Sequence, residues 1–253
     1  MLDDVARIAA EAGAIALGRC GSNFGRWEKK PGELVCDVDL EVDAFLREKL
    51  TALDPDAGWL SEETLDDSDR SERRRAWVVD PIDGTRDYLR DRPGWSVSVA
   101  LVEDRVPVIG VLSAPARDEI WTAQRGKGAR RNGVRLQASD RTLLPGARVP
   151  AEQLPPDDQD LVTVPKPNSI ALRIALVAAG EADLVATLKW GFEWDIAAAA
   201  LIAEEAGATI TGALGQPLSF NTVSGAAFGV LATAPGIHAA AVERLRERAL
   251  AIV

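Results

Sequence analysis

The first fifty residues carry apolar side chains at the spacing of two amphipathic helices. Val5, Ile8 and Ala12 recur at three- and four-residue intervals, which predicts a helix over residues 3–19. The stretch "VDAFLREKLTAL", entered through Asp39, repeats this spacing and predicts a second helix. Between the two helices lies "EKKPGEL", which is polar and contains glycine and proline, and it predicts a loop.

The middle of the chain has short apolar segments rich in valine and tryptophan, separated by turn residues. They read "AWVVD", "WSVSVALV", "VPVIGVL" and "EIWTA", and they predict antiparallel strands joined by hairpins. Serine alternates with valine in "SVSVALV", which predicts a strand with one exposed face. Asn132-Gly133 predicts a tight turn further along.

A proline-rich stretch separates the two halves of the chain. Residues 145–167 hold six of the 14 prolines, so no long helix forms there. Beyond it, helical and strand patterns alternate from "SIALRIALVAAG" to "IHAAAVERLRERAL", as in α/β proteins. We therefore expect an α+β subdomain over residues 1–140, a proline-rich connection over 141–168 and an α/β subdomain over 169–253.

The charge balance narrows the class of partner. The chain has 29 basic and 39 acidic residues and a net charge of −10, which disfavours nucleic-acid polymers and anionic membranes. No apolar run approaches the ~18 residues needed to span a bilayer. The first residues, "MLDDVARIAA", are acidic and do not resemble a signal peptide. These features predict a cytoplasmic protein.

The scarcity of cysteine and histidine restricts the possible chemistry. The two cysteines, Cys20 and Cys36, and the single histidine, His238, cannot build a zinc cluster or a disulfide framework. We expect His238 to lie on the surface, at the start of the terminal helix. Catalysis by a histidine triad is therefore disfavoured, and any catalysis would depend on carboxylates and metal ions.

The stretch "WVVDPIDGTRDYL" places Asp80 and Asp83 directly after an apolar strand. One interpretation is a surface proline turn, for which "PIDG" is a suitable sequence. The other is a tight corner at which two carboxylates and the open amides after Gly84 hold a divalent cation against a phosphate. A turn accounts for Asp83 but not for Asp80.

Three more acidic residues follow apolar segments or begin helices. Glu62 follows "GWLS" but belongs to the long acidic run "EETLDDSDRSE", which is typical of a solvated surface. Asp195 begins the helix "DIAAAALIAEEAG", where an ordinary cap is the alternative. Asp39 likewise has a capping or helix-surface role as its simplest explanation, and so does Asp43 in the same segment, "LVCDVDLEVD".

Taken in chain order, these acidic residues resemble those of the inositol monophosphatase superfamily of metal-dependent, lithium-sensitive phosphatases. The resemblance rests on "SEE", "DPIDGT" and "EWDIAAAALIAEEAG" and extends over nearly the whole chain. It implies an α/β fold built as a layered αβαβα sandwich. It also implies hydrolysis of a phosphate monoester by in-line attack of water.

The resemblance further implies a set of metal ligands. Glu62, Asp80 and the carbonyl of Ile82 would bind one magnesium ion, and Asp80, Asp83 and Asp195 would bind a second, with Asp80 bridging. Two to three Mg²⁺ ions are expected in total. Mn²⁺ would substitute for them, and Li⁺ and Ca²⁺ would inhibit.

The same resemblance implies catalytic and phosphate-binding roles. Asp39 and Thr85 would hold the attacking water and help to deprotonate it. The backbone amides of Gly84 and Thr85 would bind phosphate oxygens.

The substrate is less narrowly defined by the sequence. Inositol monophosphatases usually carry a glutamate several residues before the Trp-Asp pair, whereas this chain reads "ATLKWGFEWD", with Glu193 as the nearby acid. Lys189 suits a second phosphate better than a polyol. The segments "GVLSAPARDEIW" and "VPKPNSIALR", which contains Ser169, are similar to those of bacterial 3′(2′),5′-bisphosphate nucleotidases, which act on 3′-phosphoadenosine 5′-phosphate. Lys166 and Arg173, near Ser169, are candidate partners of the second phosphate. Plain surface charge is the alternative for each lysine.

Other functions stay open at this point. One is an inositol-1-monophosphatase or another sugar-phosphate phosphatase. A further one is a catalytically silent protein that binds metal or phosphate. The expected partner is a small phosphorylated substrate, and a homodimer is compatible with the family.

Overall fold

The computed structural model describes residues 1–22, 25–30, 33–64 and 69–252, and these form a mixed α/β protein. The helices are α1 (Leu2–Arg19), α2 (Asp37–Leu53), α3 (Thr85–Tyr88), α4 (Ile170–Ala178), α5 (Ala197–Glu205) and α6 (His238–Leu250). The strands are β1 (Arg26–Lys30), β2 (Glu33–Cys36), β3 (Gly58–Ser61), β4 (Arg75–Asp83), β5 (Ser96–Glu103), β6 (Val106–Ala114), β7 (Glu119–Gln124), β8 (Gly128–Arg131), β9 (Val134–Arg135), β10 (Arg148–Pro150), β11 (Val162–Val164), β12 (Leu184–Phe192), β13 (Thr209–Thr211) and β14 (Ala226–Thr233).

The elements stack in five layers, as the family resemblance implies. A seven-stranded sheet has the order β3-β4-β5-β6-β7-β8-β9, and a three-stranded sheet has the order β12-β14-β13. Helices α1 and α2 cover one face of the large sheet, whereas α4 and α5 lie between the two sheets. Helix α6 packs on β14 and completes the αβαβα sandwich.

Helix α5 is apolar all round because it is buried on every side. Its sequence, "AAAALIA", packs against β6 of the large sheet and β13 of the small one. Small side chains let the backbones approach closely. A Cβ atom at Gly110 of β6 would lie 2.6 Å from the carbonyl oxygen of Ala198.

Strand β5 corrects the expectation of a half-exposed strand. Both its serines and its valines are buried, because helices cover the large sheet on both faces. The serines instead bond to the layer between the sheets. The hydroxyl of Ser96 lies 3.2 Å from that of Ser169, and Ser98 donates to the carbonyl of Trp194.

Two local expectations have different outcomes. The turn at Asn132-Gly133 is confirmed, since φ is 49° and 78° at the two residues. The loop expected at "EKKPGEL" is wrong for residues 28–30 and 33–34, because β1 and β2 pair there as antiparallel strands, and residues 31–32 lie outside the described ranges. The antiparallel hairpins predicted for β5, β6 and β7 are confirmed.

The proline-rich connection contains two short strands, β10 and β11, which pair in parallel. His238 is half-buried rather than on the surface, with its two ring nitrogens 3.1 Å and 2.9 Å from the hydroxyls of Thr211 and Thr233. In the part of the chain that the structure describes, no helix has both the length and the apolar character to cross a membrane.

Candidate active site

Asp80 and Asp83 lie on one continuous strand that contains a β-bulge. Strand β4 runs through Pro81 to Asp83, and its register against β5 moves from Asp80 opposite Ser98 to Asp83 opposite Ser96. One extra residue on β4 is therefore inserted. Side chains three positions apart in a regular strand point to opposite faces, and the bulge re-aims one of them. The sequence predicted a tight corner after a strand, but the strand itself supplies the geometry.

Gly84 follows with a conformation that favours glycine. Its φ is 94°, and an added Cβ would lie 2.7 Å from the amide nitrogen of Ser169. The hydroxyl of Thr85 donates to the carbonyl of Ile82 at 3.0 Å. The amides of Gly84 and Thr85 donate no hydrogen bond to any described residue, so both are available to an anion.

Three carboxylates converge in front of this bulge. Asp80, Asp83 and Asp195 each offer an oxygen, and these oxygens lie within 4.8 Å of one another. Burial raises the pKa of Asp80 well above its usual value, and the charges of Glu62, Asp83, Asp195 and Asp39 raise it further. Burial and the charge of Asp83 raise the pKa of Asp195 to about 7.

Such a concentration of buried oxygen ligands is unfavourable without a cation. Each carboxylate is desolvated and faces like charges, so binding positive charge would relieve both effects. An all-oxygen ligand set suits a hard divalent cation such as Mg²⁺. The residues therefore fit the metal site that the family resemblance implies.

Glu62 reaches the cluster because two parallel strands end at the same edge. Strands β3 and β4 pair in parallel, with Ser61 beside Val79, so Glu62 leaves β3 next to Asp80. Asp43 of α2 accepts hydrogen bonds from Ser61 and Thr64 and so ties down the segment that carries Glu62.

The contribution of Asp43 was missed from the sequence, where a capping or helix-surface role was assumed. A signal was present, because Asp43 lies four residues after Asp39. Residues at that spacing share one face of a helix, and here both side chains are buried.

Asp39 has two structural ties at the start of α2. Its carboxylate accepts hydrogen bonds from the amide (2.8 Å) and the thiol (2.9 Å) of Cys36, as in a capping box. Burial, together with the charge of Asp39, raises the pKa of the Cys36 thiol to about 12, which keeps it protonated as a donor. Asp39 is thus a helix cap and also close enough to raise the pKa of Asp80.

Asp83 is held at the beginning of α4. It accepts hydrogen bonds from the hydroxyl of Ser169 at 2.5 Å and from the amide of Ala171 at 2.8 Å. Ser169 is fully buried and does not line the cavity described next. The structure therefore places Ser169 behind Asp83, in contrast to the substrate contact expected from the sequence.

A cavity of about 420 Å³ opens in front of the cluster. It is lined by two sets of charged side chains, which we call the acidic wall and the basic wall. The acidic residues that line it are Glu62, Asp80, Asp83 and Asp195, and the basic residues are Arg86, Lys166, Arg173 and Lys189. Ile82, Gly84 and Thr85 complete the acidic wall. Among the described residues, each carboxylate that lines this cavity is therefore one of the metal ligands expected from the sequence.

Lys189 reaches the cavity through a second bulge. The register of β12 against β14 moves from Thr187 opposite Val230 to Trp190 opposite Phe228, which inserts one residue into β12. Thr187 and Lys189 line the cavity, whereas Leu188 does not.

Glu193 is turned away from the cavity and fully buried. It accepts hydrogen bonds from the amides of Asn221 (2.5 Å) and Thr222 (3.0 Å) and from the Thr222 hydroxyl. The guanidinium of Arg70 lies close by and donates to the side chain of Asn221 at 2.9 Å. The acid nearest to the Trp-Asp pair in sequence therefore fixes a loop and does not face a substrate.

Comparison with known proteins agrees with this site. The model of the inositol monophosphatase family matches residues 2–252. The chain is 35% identical over 195 residues to the Nus factor SuhB of Xylella fastidiosa, covering 71% of this chain and 69% of that protein. It is 31% identical over 235 residues to the 3′(2′),5′-bisphosphate nucleotidase CysQ of Aggregatibacter actinomycetemcomitans, covering 87% of each.

The fold agrees with a solved structure as well. The inositol monophosphatase of Thermotoga maritima superposes with a TM-score of 0.85 and 27% identity, covering 100% of this chain and 99% of that one.

Proposed function

The chain belongs to the inositol monophosphatase family and is a phosphatase of that family, and we propose that its substrate is a bisphosphorylated nucleotide such as 3′-phosphoadenosine 5′-phosphate. The observation that carries the proposal is the charge distribution of the cavity. Four basic side chains line the same cavity as the acidic cluster, and no described carboxylate outside the acidic wall lines the cavity to bind a polyol. One phosphate would lie at the cluster and the second at the basic wall.

In this proposal the acidic wall holds the magnesium ions on which the family depends. Glu62, Asp80 and the Ile82 carbonyl would hold one ion, and Asp80, Asp83 and Asp195 would hold another. When bound, such ions lower the pKa of a coordinated water and neutralise charge on the phosphate.

The protein's own groups would orient the reactants. Asp39 would accept the proton of the attacking water, with Thr85 fixing the position of that water. The hydroxyl of Thr85 and the amides of Gly84 and Thr85 lie at one end of the cavity, where the amides would donate to phosphate oxygens.

The basic wall would provide specificity. Lys166 and Lys189 are exposed, and neither forms a hydrogen bond or salt bridge with the described residues, so both are available to an anion. Arg173 is held in place by hydrogen bonds to the carbonyls of Pro167 and Asn168. A fixed guanidinium beside two mobile ammonium groups suits a phosphate better than an uncharged hydroxyl group.

A sugar bisphosphate is the second candidate, because the same basic wall would take its second phosphate. The chain is 32% identical over 198 residues to the fructose-1,6-bisphosphatase/inositol-1-monophosphatase of Thermotoga maritima, covering 73% of this chain and 74% of that protein.

Phosphate release by the purified protein tests the proposal. The panel is 3′-phosphoadenosine 5′-phosphate, fructose 1,6-bisphosphate, inositol 1-phosphate and histidinol phosphate, each with magnesium, with EDTA and with added lithium. The highest kcat/KM is expected for the nucleotide, with no turnover in EDTA. A preference for inositol 1-phosphate would contradict the nucleotide proposal, and no turnover of any compound would favour a silent metal-binding protein.

Lys189→Ala examines the basic wall directly. The KM for 3′-phosphoadenosine 5′-phosphate should rise about tenfold, since one charged contact is lost, and the KM for a monophosphate should change less. Lys127→Ala is the control, because Lys127 is exposed and does not line the cavity. Equal effects of Lys189→Ala on both substrates would remove Lys189 from the proposal.

A further inference from the structure

A second cavity of about 480 Å³ adjoins the one in the active site. We call it the side cavity. Its walls come from the proline-rich connection, from β12 and from α6, and most of the side chains are apolar. The principal apolar residues are Leu144, Val149, Leu154, Leu161, Leu184, Ala186, Leu188, Ala241 and Leu245.

The side cavity and the active-site cavity meet at two basic residues. Lys166 and Arg173 line both cavities. Strand β12 separates them elsewhere, with Thr187 and Lys189 on the active-site side and Leu188 on the other. A ligand whose anionic group lay against Lys166 would therefore have an apolar space next to it.

The charged residues at the α6 wall are already neutralised. Arg248 donates two hydrogen bonds to Asp158, at 2.8 Å and 3.1 Å, and Arg244 donates two to Asp160, at 2.8 Å and 2.9 Å. This wall thus offers no unpaired charge to an anion. The side cavity suits the apolar part of a ligand, and its charged part belongs at Lys166.

One wall also offers polar backbone groups. The segment 151–155 lies outside any helix or strand, and the amides of Glu152 and Gln153 donate no hydrogen bond to a described residue. A heteroaromatic ring has apolar faces and a polar edge that can accept such bonds. A saturated acyl chain could use only the apolar surface.

We propose that the side cavity binds the heteroaromatic group of the substrate, while the second phosphate lies at Lys166 and Arg173. This inference rests on the proposed function and specifies it further, because it selects nucleotides over sugar bisphosphates. The volume is within the range of cavities that enclose small ligands.

A matched pair of substrates tests the assignment. The pair is 3′-phosphoadenosine 5′-phosphate and 1,4-anhydroribitol 3,5-bisphosphate, which keeps the ribose ring and both phosphates and lacks the base. Leu154→Trp and Ala186→Phe would each fill part of the side cavity. The KM for the nucleotide is expected to rise about tenfold relative to the KM for the base-free compound, because a desolvated apolar contact is lost.

Two more variants make the result specific. Leu154→Ala enlarges the side cavity without blocking it and should give a smaller change in that KM ratio than Leu154→Trp. Phe192→Leu alters the aromatic residue that lines the active-site cavity and stacks on Trp194 at 4.3 Å. If Phe192→Leu raises the ratio and the cavity-filling variants do not, the base binds at Phe192 and the inference is wrong. Unfolding midpoints establish that each variant is folded.

The failure of the proposed function is distinguishable from the failure of this inference. If the wild type hydrolyses neither bisphosphate, the nucleotide proposal fails. The role of the side cavity is then tested by measuring how fast the same variants hydrolyse 2-naphthyl phosphate, octyl phosphate and glycerol 2-phosphate. A loss confined to the naphthyl ester would support aromatic binding, and equal losses for all three, or none, would overturn it.

Discussion

Glu193 and Asp195 are two residues apart, and the protein surrounds their carboxylates in opposite ways. Glu193 accepts three hydrogen bonds from Asn221 and Thr222, which counteract the rise in its pKa caused by burial. Asp195 accepts one, from the amide of Phe192 at 3.2 Å, and faces the carboxylate of Asp83. The difference teaches that the fold supplies hydrogen-bond donors to Glu193, whereas it leaves Asp195 facing another carboxylate, where a cation would compensate the charge.

Asp183 and Asp80, which lie in different parts of the fold, show the same contrast between a carboxylate with hydrogen-bond donors and one among other carboxylates. Asp183, at the far end of β12, accepts hydrogen bonds from the amide and guanidinium of Arg148 and from the hydroxyl of Ser139. Asp80 accepts one hydrogen bond from the described residues, from the amide of Ile82 at 2.9 Å, and burial and four acidic neighbours raise its pKa. The N–H donors around Asp183 compensate its burial, whereas the carboxylates around Asp80 add to the cost of burying it and make it part of the candidate metal site.

Replacement of Asp195 by asparagine gives the largest expected effect. Asp195→Asn should lower kcat/KM about 10³-fold, because a proposed ligand of the metal ion that would neutralise charge on the reacting phosphate is replaced by a neutral amide. Its free energy of unfolding in EDTA should equal or exceed that of the wild type, since a repulsive buried charge is removed. Steady-state kinetics gives kcat/KM, and urea unfolding in EDTA gives the free energy of unfolding. A large loss of stability in EDTA would mean that Asp195 is a structural residue like Glu193.

Magnesium itself should stabilise the wild type. At a concentration of 100 times Kd, a ligand that binds only the folded state adds about 2.7 kcal/mol to the free energy of unfolding. For a chain of this length the melting temperature should rise by about 5–10 °C. Differential scanning calorimetry with magnesium and with EDTA gives the shift, and Asp195→Asn should reduce it. Glu193→Gln is the matched control, because magnesium should raise its melting temperature by the same amount as that of the wild type.

Glu193→Gln should destabilise the protein with a smaller effect on catalysis. The amide nitrogen of glutamine would face at least one of the N–H donors of Asn221 and Thr222, which costs about 2 kcal/mol. Glu247→Gln, on an exposed position of α6, should change stability by less than about 0.5 kcal/mol. Urea unfolding compares the two variants. If Glu193→Gln and Glu247→Gln had the same free energy of unfolding, the hydrogen bonds of Glu193 would make no net contribution to stability.

The hydrogen bonds of Asp183 should make the free energy of unfolding fall at acid pH. Burial alone would raise its pKa, but the hydrogen bonds from Arg148 and Ser139 lower it from 3.8 to about 2. Because the folded-state pKa is below the unfolded value, the stabilisation is present above about pH 4 and is lost as the pH falls towards 2.

The expected size of this loss is about 1 kcal/mol after allowance for solvent screening of Arg148. Asp183→Asn should therefore flatten the dependence of stability on pH between about 4 and 2, which urea unfolding at a series of pH values would reveal. An unchanged slope would show that other carboxylates govern acid unfolding.

Much of the fold followed from local patterns. The spacing of Val5, Ile8 and Ala12 predicted α1, and the valine-rich segments predicted the hairpins of the large sheet. The exposure of β5 was predicted wrongly because alternating serine and valine look the same whether the second face meets water or another helix. Only the position of α5 determines that β5 is buried on both sides.

The acidic cluster followed from the sequence only through its resemblance to a family. Asp80 and Asp83 are neighbours in the chain, but the bulge that aims both at one point depends on pairing with β5. Ser169 was expected at the substrate, and its hydroxyl instead bonds to Asp83, 86 residues away in the chain. Asp43 was expected only to cap a helix or lie on its surface, because its partners Ser61 and Thr64 lie in and after β3, far from α2 in the chain.

The sequence by itself determined the principal helices, the hairpins of the large sheet, the family and the identity of the clustered acids. These properties depend on side-chain periodicity and on short motifs, which are local in the chain. Only the tertiary structure decided which buried carboxylates meet N–H donors and which meet one another, as Glu193 and Asp195 show. The physical reason is that the pKa and the stabilising effect of a buried charge depend on partners supplied by residues far away in sequence.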